Sequence, residues 1–188
     1  DGYFQEDPDP APLPGLPPAV GKMMANIDEN SFKSKLHRWR FNLKTGQVKE
    51  QHLCDRILEF GTFNQRYAGK PSRFHYSTWS KPGWFLFSGL VKHDLQTGET
   101  WELPFGEERY GSEAPFAPRT NAKDEDDGYL VSFITDMLED RSECILVDAK
   151  NISAGPVCRI ILPHRISSGT HATWADGPEL RKVRENKT

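Results

Sequence analysis

Six histidines are the side chains of this sequence best suited to bind a metal ion, and one of them has unusual neighbours. His171 lies in the segment SGTHATW, where glycine, alanine and threonine leave open space around the imidazole. A metal-binding histidine needs such space when a substrate must also reach the ion. Local spacing adds nothing, since the chain has no HExxH, CxxC, GxSxG or glycine-rich phosphate loop. His171 is therefore a candidate metal ligand, and no separate catalytic side chain is predicted.

The other five histidines carry weaker signals. His37, His52 and His93 have charged neighbours or lie beside a predicted turn, so we expect them to be exposed to solvent. His75 and His164 are expected to be polar side chains with ordinary hydrogen-bond partners.

Two carboxylates stand in apolar surroundings. Glu59 lies between Leu58 and Phe60, and Glu113 precedes an Ala-Pro-Phe segment. A carboxylate in such a place is costly unless it has a partner. Two kinds of partner are open: a nearby arginine, or the second N–H of a metal-bound histidine, whose ring orientation the carboxylate would then fix. The arginines available for the first kind are Arg56, Arg66, Arg109 and Arg119.

The composition excludes several classes of protein. The formal net charge is -3 and the basic residues are scattered, so the chain lacks the basic stripe that nucleic-acid binding needs and we expect no such partner. The three cysteines fit neither a zinc pattern nor an even set of disulfides. No apolar run approaches the roughly 20 residues of a spanning helix, and the N-terminal residues do not resemble an export signal. The chain begins with Asp1 rather than methionine, and we expect it to be part of a longer chain.

Three regions are predicted from the hydrophobic pattern. Prolines are frequent in residues 5–20 and exclude regular structure there, whereas residues 18–29 have the spacing of a short helix. We therefore predict a proline-rich connector with a short helix in residues 1–34, β-structure in 35–176 and a polar tail in 177–188.

Three predicted hairpins follow one another between residues 35 and 150. Their turns are expected at Lys44–Gln47, Gln96–Glu99 and Glu139–Ser142. Gly46 and Gly98 are 52 residues apart, and Gly98 and Arg141 are 43 apart, close to the ~40–50-residue period of propeller blades. An all-β propeller is the favoured fold, with a β-sandwich or irregular antiparallel sheet as the alternative. Because propellers have roughly four to eight blades, the remaining blades would come from upstream sequence or a partner chain.

Five segments, in this order and spacing, resemble the carotenoid cleavage oxygenase family, which includes stilbene-cleaving dioxygenases. They cover most of residues 35–176 and are LEFGTFNQRYAGKPSRFHY (58–76), FGEERYGSEAPFAPR (105–119), DEDDGYLVSFITD (124–136), SECILVDAKNISAGPVCRIILPHR (142–165) and SGTHATW (168–174). The resemblance implies the C-terminal blades of a seven-bladed β-propeller. It also implies one Fe(II) held by four histidines, with glutamates around them, and O2-dependent cleavage of a conjugated double bond into two carbonyl products.

Site residues follow from the resemblance by position. His171 is similar to the fourth iron ligand, and Glu59 and Glu113 to two glutamates that orient ligand histidines. Phe63 and Phe116 are candidates for contact with a hydrophobic polyene or stilbene-like substrate, with core packing as the alternative for each. The other three ligands would lie upstream, so we expect this chain alone to be inactive.

The sequence leaves a second hypothesis and the compartment open. One departure from the family pattern is Gly61, which stands where proline is common. The competing function is a metal-free β-propeller module for binding or assembly, closed by pairing its edge strands with another chain. Cytoplasm, a plastid and the periphery of a membrane are all candidate locations.

Overall fold

The computed structural model describes residues 2–4, 11–26, 33–80, 86–167 and 171–185. Within these ranges the strands are β1 (Gly2–Phe4), β2 (Lys35–Phe41), β3 (Val48–His52), β4 (Leu58–Thr62), β5 (Phe74–Ser80), β6 (Phe87–Asp94), β7 (Thr100–Pro104), β8 (Arg109–Gly111), β9 (Phe116–Pro118), β10 (Gly128–Asp136), β11 (Arg141–Asp148) and β12 (Pro156–Ile161). Two helices, α1 (Pro18–Asn26) and α2 (Gly177–Glu185), and two single 3-10 turns, Gln65–Tyr67 and Ile152–Ala154, complete the described elements. None of these helices has the length and apolar character of a membrane span.

The strands form three consecutive antiparallel units, and one residue pair, Phe87 of β6 with Gly111 of β8, joins the second unit to the third. β4, β5, β6 and β7 pair in that order and make the second blade. In the third blade, β8 and β9 both pair with β10, which is followed by β11 and β12. The first blade consists of β1, β2 and β3. β1 falls inside the predicted connector but pairs with β2, and the predicted helix beyond Asn26 lies outside the described residues.

The turns show where the predicted repeat is right and where it is wrong. The Oδ1 atoms of Asn42 and Asp94 each accept hydrogen bonds from the N–H groups two and three residues later. Asp148 accepts one from the N–H two residues later and begins the equivalent connection in the third blade. These positions are 52 and 54 residues apart. The prediction that the turn near Glu139 is equivalent to the other two was wrong. This turn joins β10 to β11, whereas the others precede the last strand of their blades, so the 43-residue spacing does not measure the repeat.

Two apolar clusters pack on opposite faces of the second blade. Leu90 belongs to one cluster and the next residue of β6, Val91, to the other, as alternation along a strand requires. The larger cluster joins the second and third blades and contains Tyr76, Leu90, Leu103, Phe105, Ala114, Phe116, Leu130, Ile134, Ile145, Val147, Ala149 and Ile152. The smaller one joins the first and second blades through Leu36, Leu58 and Val91. The second blade is thus covered on both faces.

A carboxylate from the third blade binds the start of β5 in the second. Glu125 accepts hydrogen bonds from the N–H groups of Arg73 and Phe74, each at 2.8 Å, and from the hydroxyl of Ser72 at 2.9 Å. Backbone N–H groups at the start of an inner strand need acceptors, and a charged acceptor makes stronger bonds than a neutral one. Glu125 therefore ties the two blades together.

The other three carboxylates of the acidic run 124–127 are also paired. Lys92 Nζ lies 2.7 Å from Asp126 Oδ2 and 4.2 Å from the centre of the Phe74 ring, with its side chain almost fully buried. Asp124 pairs with Lys150, and Asp127 with Arg119. Glu125 and Asp126 thus connect the second and third blades, whereas the pairs of Asp124 and Asp127 lie within the third blade.

We expect Glu125→Gln to lower the free energy of unfolding by roughly 2 kcal/mol, because the amide nitrogen would face N–H donors that now bond to a charged oxygen. Urea unfolding of the variant and wild type measures this difference. Glu107→Gln, at an exposed position, is the matched control and should change stability little. Equal stability of wild type and Glu125→Gln would show that the connection is not stabilising.

Candidate functional site

His171 and Glu113 are brought together although they are 58 residues apart in sequence. Glu113 lies between β8 and β9, and its Oε2 is 3.4 Å from Nδ1 of His171. The same oxygen accepts a hydrogen bond of 2.6 Å from the N–H of Ala172. The Glu113 side chain is 16% exposed and the His171 side chain 81%. Glu113 therefore anchors the backbone of this segment and faces one ring nitrogen of His171, while the rest of the imidazole is exposed; Gly169 and Thr170 lie outside the described residues.

Phe60 is a third member of the site, which the sequence did not reveal. Its ring meets the His171 imidazole edge to face, with centroids 5.6 Å apart and planes at 81°, and it also packs against Phe87. The backbone of Phe60 has φ of 51°, in the left-handed region that side-chain-bearing residues rarely adopt. Such a conformation persists where the surroundings impose it, often at functional sites. The only sequence signal was its place next to Glu59.

Glu59 is near this group but has a different partner. Its side chain accepts a hydrogen bond from the hydroxyl of Ser34, which also contacts the carbonyl of Leu58. Burial raises the pKa of the Glu59 carboxyl, and the Ser34 hydrogen bond offsets part of that rise. Among the described residues, neither Glu59 nor Glu113 has an arginine partner. The arginine partner that was one of the two expectations for these carboxylates is therefore not found among the described residues.

The candidate residues share one position in the blades. Glu59 and Phe60 are on β4, the first strand of the second blade, and Glu113 is between β8 and β9, which form the first strand of the third. The contacts of His171 place the segment after β12 against both. The first strands thus converge on a common edge, where side chains from several blades can meet.

The two predicted phenylalanine contacts lie elsewhere. Phe116 is 3% exposed and packs in the larger apolar cluster, with its ring 5.8 Å from that of Tyr76. It also forms part of the wall of a cavity of about 230 Å³ that includes Trp174. Phe63 lines a separate cavity of about 460 Å³. Their contact with substrate stays a prediction.

The blades match solved structures of carotenoid-type oxygenases. A single-site mutant of the Synechocystis apocarotenoid oxygenase has a TM-score of 0.73 and 28% identity, covering 78% of this chain and 31% of that one. The Pseudomonas brassicacearum lignostilbene dioxygenase has a TM-score of 0.71 and 30% identity, covering 77% and 33%. The predicted fold is confirmed: the chain forms C-terminal blades of a seven-bladed β-propeller.

Sequence comparison identifies the family. Residues 7–176 match the family described as Retinal pigment epithelial membrane protein. Carotenoid 9,10(9',10')-cleavage dioxygenase 1 of Arabidopsis thaliana is 34% identical over 182 residues, which are 90% of this chain and 33% of that protein. A carotenoid cleavage oxygenase of Mycobacterium tuberculosis is 30% identical over 149 residues. The chain belongs to this family, the carotenoid cleavage oxygenases, and spans about a third of the length of the curated relatives it matches.

A second polar group lies between the first and second blades. Tyr3 Oη is 3.1 Å from Nε2 of His75 and donates a hydrogen bond of 2.9 Å to Ser77. The ring of His93 is 6.2 Å from that of His75, and its Nε2 is buried without a hydrogen-bond partner among the described residues. The prediction that His93 is exposed was wrong: it is 4% exposed, because the second blade is covered on both faces. His37 is also mostly buried, with 13% of its side chain exposed.

We expect these histidines to make the protein sensitive to acid. Burial lowers the pKa of His75 to about 3 and that of His93 to about 4, from an ordinary 6.5. The unfolded chain therefore takes up protons first, so stability is complete above pH 6.5 and is lost as pH falls towards about 4. The urea midpoint of unfolding should fall as pH is lowered from 6.5 to about 4. The fall with pH should be less steep for His93→Gln than for the wild type.

His164→Gln, at an exposed position, is the control and should keep the wild-type slope. A slope that His93→Gln leaves unchanged would mean that His93 is not held neutral in the folded protein.

Proposed function

We propose that this chain is part of a non-haem Fe(II) dioxygenase that uses O2 to cleave a conjugated C=C bond of a carotenoid, apocarotenoid or stilbene-like substrate into two carbonyl products. The observation that carries the proposal is the His171 imidazole, held by Glu113 at the edge where the first strands of the blades converge. Membership of the family supports the reaction class. The names of its relatives, which include carotenoid and lignostilbene dioxygenases, support a hydrophobic conjugated substrate.

The residues present fit one ligand position of an iron site. The Nδ1 of His171 faces a carboxylate, and the side chain is largely exposed, so Nε2 is open to a metal ion. Imidazole is a suitable ligand for iron. Among the described residues no three histidine, cysteine or acidic side chains are grouped to hold a metal. The other ligands would therefore come from blades outside residues 1–188.

Iron, when bound, would supply the activation of O2. The carboxylate of Glu113 fixes the orientation of the His171 ring and favours the tautomer with a proton on Nδ1. Its hydrogen bond from Ala172 holds the adjacent backbone, so the ring cannot move away from the site. The ring of Phe60 packs against the imidazole and restricts its rotation on that side.

Glu59 has the corresponding role for a histidine of another blade. The Ser34 hydroxyl holds its carboxylate, and burial makes an unpaired charge there costly. An N–H donor from a ligand histidine would relieve this cost and become oriented in return. For Phe116 the structure supports packing in the larger apolar cluster, and contact of Phe63 or Phe116 with substrate stays a prediction.

We expect about one iron per chain in the natural full-length protein purified without oxygen, and loss of most of it in His171→Ala, because the variant lacks a ligand. Elemental analysis measures the content. His164→Ala is the matched control, since that histidine is also exposed but outside the site. Iron-free wild-type protein, or iron that is indifferent to His171, would exclude the dioxygenase and favour the metal-free binding module.

Glu113→Gln should weaken iron binding by about 10- to 100-fold, because the amide orients the His171 ring less strongly than a carboxylate does. Titration of the loaded protein with a chelator measures retention. The control is Glu102→Gln, which removes a surface ion pair with Arg56. Iron retention equal to wild type would mean that Glu113 only anchors the backbone of Ala172.

A further inference from the structure

A cavity of about 460 Å³ opens between the first and second blades, and we call it the Tyr3 cavity. Its walls include Tyr3 from β1, Gly61 and Phe63 from the region of β4, and Tyr67 and Lys70 from the segment that follows. His75 lies at its inner side. This volume is in the range of sites for small organic ligands.

Gly61 makes room for the inner wall of the cavity. A Cβ atom at this position would lie 2.5 Å from Tyr3 Oη and 2.7 Å from Cε1 of His75, both far inside contact distance. Any residue with a side chain would therefore displace the hydrogen-bonded pair of Tyr3 and His75. The shape of the cavity therefore depends on glycine at position 61.

The Tyr3 cavity is separate from the His171 site. The ring of Phe60 contacts His171, whereas the next residue, Gly61, meets Tyr3 and His75. Successive residues of β4 thus serve two different sites. The inference does not depend on the proposed iron centre.

The lining favours a flat ring with one negative charge. Three aromatic side chains, those of Tyr3, Phe63 and Tyr67, form the walls, and rings pack well against such surfaces. Lys70 is the one lining residue with a permanent charge among those described. Its ammonium group donates to the carbonyl of Arg66 at 3.1 Å and has no carboxylate partner in the described part of the chain. At the inner side, Tyr3 donates its O–H to Ser77 and its oxygen can still accept a hydrogen bond from a polar substituent.

We propose that the Tyr3 cavity binds a small aromatic carboxylate. The carboxylate pairs with Lys70 at the exposed side, the ring lies between the aromatic walls, and a ring hydroxyl donates a hydrogen bond to Tyr3 Oη.

The test is calorimetric titration of the natural full-length protein with 4-hydroxybenzoate and with its uncharged counterpart, 4-hydroxybenzyl alcohol. We expect one saturable site for 4-hydroxybenzoate. The alcohol should bind the wild type at least about tenfold more weakly than the acid does, and the acid should bind Lys70→Met at least about tenfold more weakly than it binds the wild type. A charge-assisted contact is lost in each case. Lys70→Arg should restore most of the affinity. Lys44→Met, in an exposed hairpin turn, is the control and should bind as wild type does.

His171→Ala separates this site from the proposed iron site and should bind 4-hydroxybenzoate unchanged. The proposal is overturned if no saturable binding occurs, as when upstream chain fills the cavity, or if acid and alcohol bind equally. Unchanged affinity in Lys70→Met, or affinity lost in His171→Ala, also overturns it. Because the readout is heat of binding, failure of the iron proposal would leave these outcomes unaffected.

Discussion

The relative position of the second and third blades depends on backbone N–H groups at the start of β5 that need an acceptor. Glu125, just before β10, supplies it with hydrogen bonds to Arg73 and Phe74. β5 pairs with β4, which carries Glu59 and Phe60, and β10 pairs with β8 and β9 on either side of Glu113. One carboxylate thus fixes two strands that each hold part of the candidate site. The apolar cluster between the blades supplies burial, but the directional bonds set the register of one sheet against the other.

The same principle explains the unusual polarity of the blade interfaces. A sheet covered on both faces leaves no solvent for its polar side chains, so each must find a partner inside or remain unsatisfied. Lys92 pairs with Asp126 and contacts the Phe74 ring, and Tyr3 contacts His75 and donates to Ser77. His93 Nε2 finds none among the described residues. The interior between blades is therefore a mixture of apolar clusters and charge pairs.

Much of the fold could be predicted from the sequence, because strand alternation and turn residues are local signals. The hairpin turns at Asn42 and Asp94 show this, since each is encoded by one side chain that bonds to the next few N–H groups. The turn near Glu139 was wrongly taken as equivalent to the first two, because turns at different ends of a blade have similar residues. His93 was misjudged for a related reason: its charged neighbour Lys92 is itself buried, which no local pattern indicates.

Less of the candidate site than of the fold could be predicted from the sequence. Spacing alone could not connect His171 with Glu113, and only the resemblance of five ordered segments suggested a shared role. Phe60 was missed because a backbone angle and a ring contact between distant segments leave no mark in the sequence. The Tyr3 cavity was equally hidden, because it is formed by residues of β1 and of the segment around β4 that are far apart in sequence.

The last strand of the third blade has a consequence for how the protein associates. Val157, Ile160 and Ile161 of β12 are each at least half exposed, and no described strand pairs with its outer edge. An uncovered apolar edge strand is a template for pairing with other chains. We therefore expect residues 1–188 alone to associate through β12, and the apolar face of this strand to need cover from further chain before the protein can remain monomeric.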